Sequence, residues 1–199
     1  VAQVFDEPTS ASLRGHLAIG HTRYSTTGGS TWENAQPTIR ANAAGATIAL
    51  AHNGNLVNTA ELAREVAERG LSLEGSTSDT ALVTALLASR PDQSVEAAAL
   101  EVLPMLRGAF SFVFMDEHTL YAARDPRGIR PLVLGRLENG WVVASETAAL
   151  DIVGASMVRE IEPGELLAID EHGLRSSRFG VPEPKGCLFE YVYIARPDT

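Results

Sequence analysis

The sequence predicts an α+β fold, or a layered α/β fold, with mainly antiparallel sheets. Helical patterns fill the chain between residues 58 and 108, and short apolar strands lie before and after them. Beyond residue 108 the strands return through short turns instead of crossover helices, which is typical of antiparallel pairing. A chain of 199 residues can form one domain with a sizeable core, or at most two small domains.

Two apolar stretches near the start predict strands that end in polar residues. Residues 17–22 lead into the stretch GHTRYSTTGG, which packs hydroxyl groups around an arginine. Residues 47–52 form a second apolar run, and glycines at positions 45 and 54 bound it. We therefore expect a strand at 17–22 and another at 47–52.

Three helical runs follow the second strand. Asn58 is placed to cap the first run, Glu61 stands three residues later as in a capping box, and Gly70 ends the helix. Ser78 is placed to cap a run within residues 75–90, and a third run covers residues 94–106. The helices therefore separate the early strands from the later ones.

Strand patterns dominate the second half of the chain. Residues 109–115 alternate, with three phenylalanines on one face, and residues 119–123 return after a short turn to form a hairpin. Residues 131–135, 141–145 and 165–169 are three further strand candidates. The stretch 176–186 contains two prolines and two glycines and reads as a linker.

Composition excludes several classes of protein. The net charge is −9, which argues against a general nucleic-acid binder because such proteins carry a basic excess. No apolar run is long enough to span a membrane. The single cysteine, Cys187, excludes an internal disulfide, so we expect a reducing, cytoplasmic setting.

Two short stretches contain groups suited to chemistry. Arg23, with hydroxyl residues including Thr26 beside it, could bind a carboxylate through its forked guanidinium, or could form a surface ion pair next to a polar turn. Asn53 and Gly54 offer an amide and a backbone N–H that could form an oxyanion hole, although Asn-Gly is also a common hairpin turn.

Asp79 could bind an amino group or could serve only as an acid at a helix N-terminus. Together with Arg23, Asn53 and Gly54 it would suit a free amino acid that undergoes acyl transfer. The pattern supplies no nucleophile, because no serine lies in a nucleophile-elbow motif.

The motifs resemble a known family. GHTRYSTTG, NAQP, LAHNGNLVN, STSDT and ARDPRGIRPL are similar to motifs of the glutaminase domain of the amidophosphoribosyltransferases, over essentially the whole chain. These glycosyltransferases are class II glutamine amidotransferases of the N-terminal-nucleophile hydrolase fold, which is a layered αββα structure. The resemblance implies that residues 1–180 form the amidotransferase domain and that residues 181–199 form the junction to a phosphoribosyltransferase domain.

The resemblance also assigns roles within a glutamine site. Arg23, with Thr26 nearby, would bind the α-carboxylate, and Tyr24 would be a further substrate-binding residue. Asn53 and Gly54 would form the oxyanion hole, and Asp79 would bind the α-ammonium group. Asp125, Arg127 and Arg130 in the ARDPRGIRPL motif are expected to have a structural role.

The family's nucleophile is a cysteine at the mature N-terminus, which we expect upstream of Val1. The transferase domain of the family, which binds phosphoribosyl pyrophosphate and Mg²⁺, would lie downstream of Thr199. On this hypothesis the chain alone is inactive. The longer protein that contains it releases ammonia from glutamine for the first committed step of purine synthesis. Its partners would be glutamine and phosphoribosyl pyrophosphate, and it would form a homo-oligomer.

Two questions stay open on sequence alone. Cys187 is a candidate ligand for the 4Fe–4S cluster that some family members carry, and an inert buried thiol is the alternative. The chain could also come from another class II amidotransferase, or from an amino-acid-binding domain without catalysis.

Overall fold

The chain folds into four layers, in the order helix, sheet, sheet, helix. The computed structural model describes residues 7–22, 31–188 and 192, and the statements below concern these residues. The α-helices are α1 (Glu7–Ser12), α2 (Thr59–Glu68), α3 (Asp79–Ala88), α4 (Val95–Val102) and α5 (Thr147–Ile152). The strands are β1 (Thr38–Ala41), β2 (Thr47–Leu56), β3 (Gly108–Met115), β4 (Leu120–Arg124), β5 (Val133–Leu137), β6 (Gly140–Ala144), β7 (Ser156–Glu160), β8 (Glu165–Asp170) and β9 (Gly173–Arg178).

The described strands form two antiparallel sheets. Six strands build the first sheet in the order β1-β2-β3-β4-β8-β9, and three strands build the second in the order β6-β5-β7. All the pairings between neighbours are antiparallel. The sequence-based expectation of mainly antiparallel sheets is therefore confirmed.

Alternating side chains explain the layering. Tyr121 and Ala123 of β4 join the core between the first sheet and the helices, whereas Ala122 joins the core between the two sheets. A third, smaller core packs Leu150 of α5 against Val133 of β5. Because successive strand residues point to opposite faces, a sheet buried on both faces must be apolar at consecutive positions. This arrangement gives the αββα layering.

The central pair of strands is β2 and β3. Phe110, Phe112 and Phe114 of β3 are almost completely buried and face the helical layer, as their alternation predicts. The register places His52 opposite Phe112, Asn53 opposite Ser111, and Gly54 opposite Phe110. The strand predicted at 47–52 is thus confirmed, but it continues through the Asn53-Gly54 pair to Leu56.

Helix α3 lies in the middle of the helical layer. All ten of its residues are buried, and it packs against both neighbouring helices and the first sheet. The Oγ of Ser78 accepts a hydrogen bond from the backbone N–H of Ala81 at 3.2 Å, so the predicted cap is confirmed. This cap fixes where Asp79 begins the helix.

The predicted capping box at α2 is wrong in its hydrogen bonds. Asn58 is the N-cap residue, but its side chain makes no capping hydrogen bond. Its amide donates to the carbonyl of Met105 at 3.0 Å and to Oε2 of Glu61 at 3.4 Å, and its oxygen accepts from the N–H of Arg107 at 3.0 Å. Asn58 thereby ties the start of α2 to the backbone that follows the third helical run.

Three other sequence-based predictions differ from the structure. Residues 17–22 form no strand, and the third helical run stops at Val102, followed by a 3₁₀ turn (Leu103–Met105) that contains a proline. The stretch 176–186 is not wholly a linker, because its first three residues belong to β9. The next residues lie against the 125–128 turn, since the N–H groups of Glu183 and Lys185 donate to the carbonyls of Pro126 and Arg127.

No helix in the described part of the chain is long and apolar enough to cross a membrane.

Candidate functional site

The expected site residues fall in different parts of the structure. Asn53 and Gly54 lie near the end of β2, and Asp79 is the first residue of α3. Arg23, Tyr24 and Thr26 lie outside the described residues. The predicted carboxylate-binding group therefore stays a prediction.

Asn53 lines a small cavity at the inner face of the first sheet. The cavity has a volume of about 230 Å³, and Ser111 and Val113 of β3 also line it. Val143 and Ser145 approach it from the second sheet and the turn that follows. Strand alternation directs the Asn53 side chain away from the helical layer, on the face opposite to His52. Its amide is half-buried there and is a donor suited to a polar ligand group.

Gly54 is packed too closely to carry a side chain. A Cβ atom at this position would overlap the carbonyl oxygen of Ala109 and lie 2.8 Å from Nε2 of His52. The φ angle of +149° is also one that residues with side chains rarely adopt. The backbone of β2 can therefore approach its neighbours at this point only because the residue is glycine.

Asp79 is a buried carboxylate bound by backbone N–H groups. Its Oδ2 accepts from Leu56 of β2 at 3.0 Å, and its Oδ1 accepts from Thr80 at 2.9 Å. Nδ1 of His52 lies 3.5 Å from Oδ2. Burial alone would raise the pKa of Asp79, but His52 and the two backbone N–H groups outweigh it, so the pKa lies below its ordinary value. Asp79 is thus a carboxylate at neutral pH.

His52 is a site residue that the sequence reasoning did not single out. Its ring is buried and packs on Phe112 with the ring centroids 4.6 Å apart. Its backbone N–H donates to Oε1 of Gln36 at 2.7 Å, and its carbonyl oxygen lies 3.2 Å from Nε2 of His21. A histidine at the end of an apolar strand, directly before Asn-Gly, was the signal that could have identified it.

The segment 34–36 ties β2 to the start of α3. Oδ1 of Asn34 accepts from the N–H of Thr77 at 2.9 Å and from Oγ of Ser76 at the same distance. Gln36 binds β2 at His52, as described above. Two residues of the NAQP motif therefore fix the position of Asp79 relative to the strand that carries Asn53. The motif itself gave no indication of these roles.

The ARDPRGIRPL motif forms a turn around a buried acid. Asp125 accepts hydrogen bonds from the backbone N–H groups of Phe110, Arg127 and Ile129 at 2.9 to 3.3 Å. Burial raises the pKa of Asp125 even though these N–H groups and Arg124 act in the opposite direction. The contact with Phe110, which lies opposite Gly54, shows that this turn supports β3 behind the site.

Cys187 is half-buried near the end of the described chain. No group of three or more His, Cys, Asp or Glu residues that could hold a metal ion occurs in residues 7–22, 31–188 and 192. A 4Fe–4S cluster usually takes four thiolates. The described residues supply one thiol and so do not fit a cluster by themselves.

The sequence is similar to known proteins along the whole chain. Over its whole length the chain is 64% identical to the amidophosphoribosyltransferase of Mycobacterium leprae (strain TN) and covers 37% of that protein. It is 40% identical to the amidophosphoribosyltransferase of Bacillus subtilis (strain 168) and covers 42% of it. The chain thus spans about two fifths of the length of the curated relatives it matches.

Solved structures show the same layered fold. One neighbour, the allosteric regulatory enzyme of purine biosynthesis, has a TM-score of 0.89 at 40% identity over 99% of this chain and 42% of that chain. The B. subtilis glutamine phosphoribosylpyrophosphate amidotransferase complexed with ADP and GMP has a TM-score of 0.82 at 39% identity, over 89% of this chain and 38% of that chain. The predicted N-terminal-nucleophile hydrolase fold is confirmed. Residues 21–152 match the glutamine amidotransferase domain family, and the chain belongs to that family.

Proposed function

We propose that this chain is the glutaminase part of an amidophosphoribosyltransferase. It would release ammonia from glutamine, and the ammonia would convert phosphoribosyl pyrophosphate to phosphoribosylamine in the first committed step of purine synthesis. The observation that carries this proposal is the whole-chain similarity to amidophosphoribosyltransferases, at 64% identity in M. leprae. Asn53 and Gly54 lie near the end of β2, and Asp79 accepts a hydrogen bond from Leu56 of the same strand, which is consistent with a shared site.

The described residues suit parts of the glutamine molecule. Asp79 is ionised, because its pKa is lowered, and would accept a hydrogen bond from the α-ammonium group. The side-chain amide of Asn53 and the N–H of Gly54 would donate to the amide oxygen as negative charge develops on it. We propose that Arg23 and Thr26 bind the α-carboxylate and that Tyr24 also contacts the substrate.

The bond cleavage would follow the chemistry of a cysteine nucleophile. A thiolate attacks the side-chain amide carbon, the C–N bond breaks, and the nitrogen leaves as ammonia after it takes a proton. Water then hydrolyses the thioester to glutamate. The thiol would come from a cysteine outside this chain, and the residues described here would bind and polarise the substrate.

The remaining parts of the proposal concern the whole protein. Phosphoribosyl pyrophosphate and its Mg²⁺ would bind to a transferase domain outside this chain. The single cysteine of the chain is consistent with a reducing cytoplasm. We also propose a homo-oligomer, as the resemblance implies.

Replacement of Asn53 tests the proposed oxyanion hole. In the full-length protein we expect Asn53→Ala to lower glutamine-dependent turnover by roughly a hundredfold or more, because it removes one donor from the developing oxyanion. Activity with free ammonia should not change, since that reaction does not use the glutamine site. Steady-state rates with each nitrogen source check both expectations.

A matched control is Asn139→Ala, at an exposed position in the turn between β5 and β6. This variant should keep both activities. A loss confined to glutamine affinity in Asn53→Ala would remove Asn53 from the oxyanion hole. Glutamine binding without any turnover by the full-length wild type would favour the amino-acid-binding alternative, and glutaminase activity with a different ammonia acceptor would favour another class II amidotransferase.

A further inference from the structure

We propose that His52 is a positioning residue that holds the carboxylate of Asp79 for the α-ammonium group of the substrate. The inference rests on the proposed function, because it assumes that Asp79 binds that group. It goes further by assigning a role to a residue that would not itself touch glutamine.

The contacts of His52 place it between two parts of the candidate site. Nδ1 of the imidazole lies 3.5 Å from Oδ2 of Asp79, on the helical side of the sheet. Nε2 points toward Gly54, since a Cβ on that glycine would lie 2.8 Å from it. The ring therefore lies between the backbone proposed for the oxyanion hole and the carboxylate proposed for the ammonium.

Burial and ring packing restrict the orientation of the imidazole. Phe112 packs on one face of the imidazole, and the backbone N–H of His52 donates a hydrogen bond to Gln36. The His52 side chain has only 1% of its surface exposed. An Nδ1–H donor in this position has Asp79 as its acceptor. At 3.5 Å the contact is long for a hydrogen bond, and such contacts in a ligand-free site often shorten when the substrate binds.

The other ring nitrogen argues against a purely structural role. Nε2 is buried and makes no hydrogen bond to any residue that the structure describes. A buried polar atom without a partner destabilises a fold, and an apolar side chain of similar size would avoid that cost. A histidine at this position is therefore explained better by what Nδ1 does for Asp79 than by core packing.

The hydrogen bonds of Asp79 show why its position matters. A carboxylate has about four acceptor sites. Leu56 and Thr80 occupy two of them through their backbone N–H groups. His52 faces a third, and the Thr80 hydroxyl makes a long contact of 3.5 Å with Oδ1. A hydroxyl contact at 3.5 Å is weak, so an ammonium group would take its place, and the direction of its approach depends on how the carboxylate plane is held. Loss of the imidazole would free the carboxylate to rotate and would weaken ammonium binding.

The test compares glutamine with glutaramate, which is glutamine without its α-amino group. In the full-length protein we expect the wild type to prefer glutamine in kcat/KM, and His52→Leu to reduce this preference roughly tenfold, mainly through KM. His52→Asn should restore most of it, because the Asn amide can place a donor near the position of Nδ1. His52→Gln should not restore the preference, because its longer side chain places the donor near the wild-type position of Nε2.

Three results would overturn the inference. One is a His52→Leu variant that keeps the wild-type preference. Another is an equal loss with both substrates, which would indicate a role in folding alone. The third is a His52→Asn variant that behaves like His52→Leu. A wild type that uses both compounds equally would instead contradict the role of Asp79 in the proposed function, and the inference would fail with it.

A spectroscopic measurement on the wild type does not depend on any variant that could fail to fold. In protein labelled with ¹⁵N-histidine, glutamine should shift the Nδ1 signal of His52, whereas glutaramate should leave it nearly unchanged. An unchanged signal at saturating glutamine would overturn the inference.

Discussion

At the scale of single residues, Gly54 shows how closely the site is packed. A Cβ there would overlap the Ala109 carbonyl oxygen, and the backbone has a positive φ angle. We expect Gly54→Ala to lower the free energy of unfolding by about 3 kcal/mol, because backbone strain and overpacking add together. Urea unfolding of the wild type and the variant measures this difference.

Gly45→Ala separates the two causes. Gly45 also has a positive φ angle, of +92°, but a Cβ there would meet no atom within 4 Å. Its substitution should therefore cost about 1 kcal/mol, from backbone strain alone. Equal losses at the two glycines would show that the close packing around Gly54 does not matter.

At the scale of elements, the start of α3 positions Asp79. Ser78 is buried, and its Oγ accepts from the N–H of Ala81. We expect Ser78→Ala to lower the free energy of unfolding by about 1 kcal/mol through the lost cap and also to weaken glutamine binding, because the first turn carries Asp79. Chemical denaturation and a glutamine titration of the full-length protein measure the two effects.

The control for this helix is the cap of α4. The Oγ of Ser94 accepts from the N–H of Ala97 at 3.2 Å, the same distance as at Ser78, but in an exposed setting. Ser94→Ala should cost a similar amount of stability and leave glutamine binding unchanged. Weaker binding in this variant would mean that general loss of stability, not the position of Asp79, accounts for the effect at Ser78.

At the scale of the whole molecule, an ion pair with a buried carboxylate joins the two sheets. Arg159 of β7 donates to both carboxylate oxygens of Glu165 of β8, at 2.8 and 2.6 Å. Burial alone would raise the pKa of Glu165, but the hydrogen bonds from Arg159, Ser176 and the N–H of Glu162 outweigh it, and the pKa lies below its ordinary value. The charged form of Glu165 therefore stabilises the fold.

The sign of the pH dependence follows from that lowered pKa. A lowered carboxyl pKa adds stability above the unfolded-state pKa, and this stability is lost as the pH falls through the folded-state value. We expect Glu165→Gln to cost about 2 kcal/mol at pH 7, less than a fully buried pair because Arg159 is partly exposed. The difference from the wild type should shrink below about pH 4.

Denaturant unfolding at pH 7 and in acid measures this change. Glu65→Gln is the matched control, since Glu65 pairs with Arg69 one turn away on the same helix and both side chains are about one-third exposed. It should have little effect at either pH. A Glu165→Gln difference that stays constant with pH would show that the lost stability does not come from the charge.

The features predicted best from the sequence are those that depend on local sequence patterns. The alternation in β3 and the cap at Ser78 depend on neighbours within a few residues, and the structure confirms both. Strands β1, β7 and β9 were not predicted because they lie at sheet edges and are half-exposed, as in SMVRE and GLRSSR. Such segments become strands because they pair with a neighbouring strand, and their own residues show little preference for strand structure.

The candidate site was predictable only in part for a similar reason. Asn53, Gly54 and Asp79 stood out because each lies at the end of an apolar run or at a helix start. The contacts of His52 with Asp79, and of Gln36 with His52, join residues on different elements. No spacing along the chain encodes such contacts, since they exist only after the sheet and the helical layer have packed together.

The order of β2 and β3 in the chain has a consequence for how the protein acquires its site. Their ladder joins Leu56 to Gly108 at one end and Ala49 to Met115 at the other, and three helices lie between the two strands in sequence. Pairings between such distant segments form slowly, because a long loop must close first. During synthesis on the ribosome, Asn53 and Gly54 therefore have no partner on the β3 side of their strand until residues 110 and 111 have emerged.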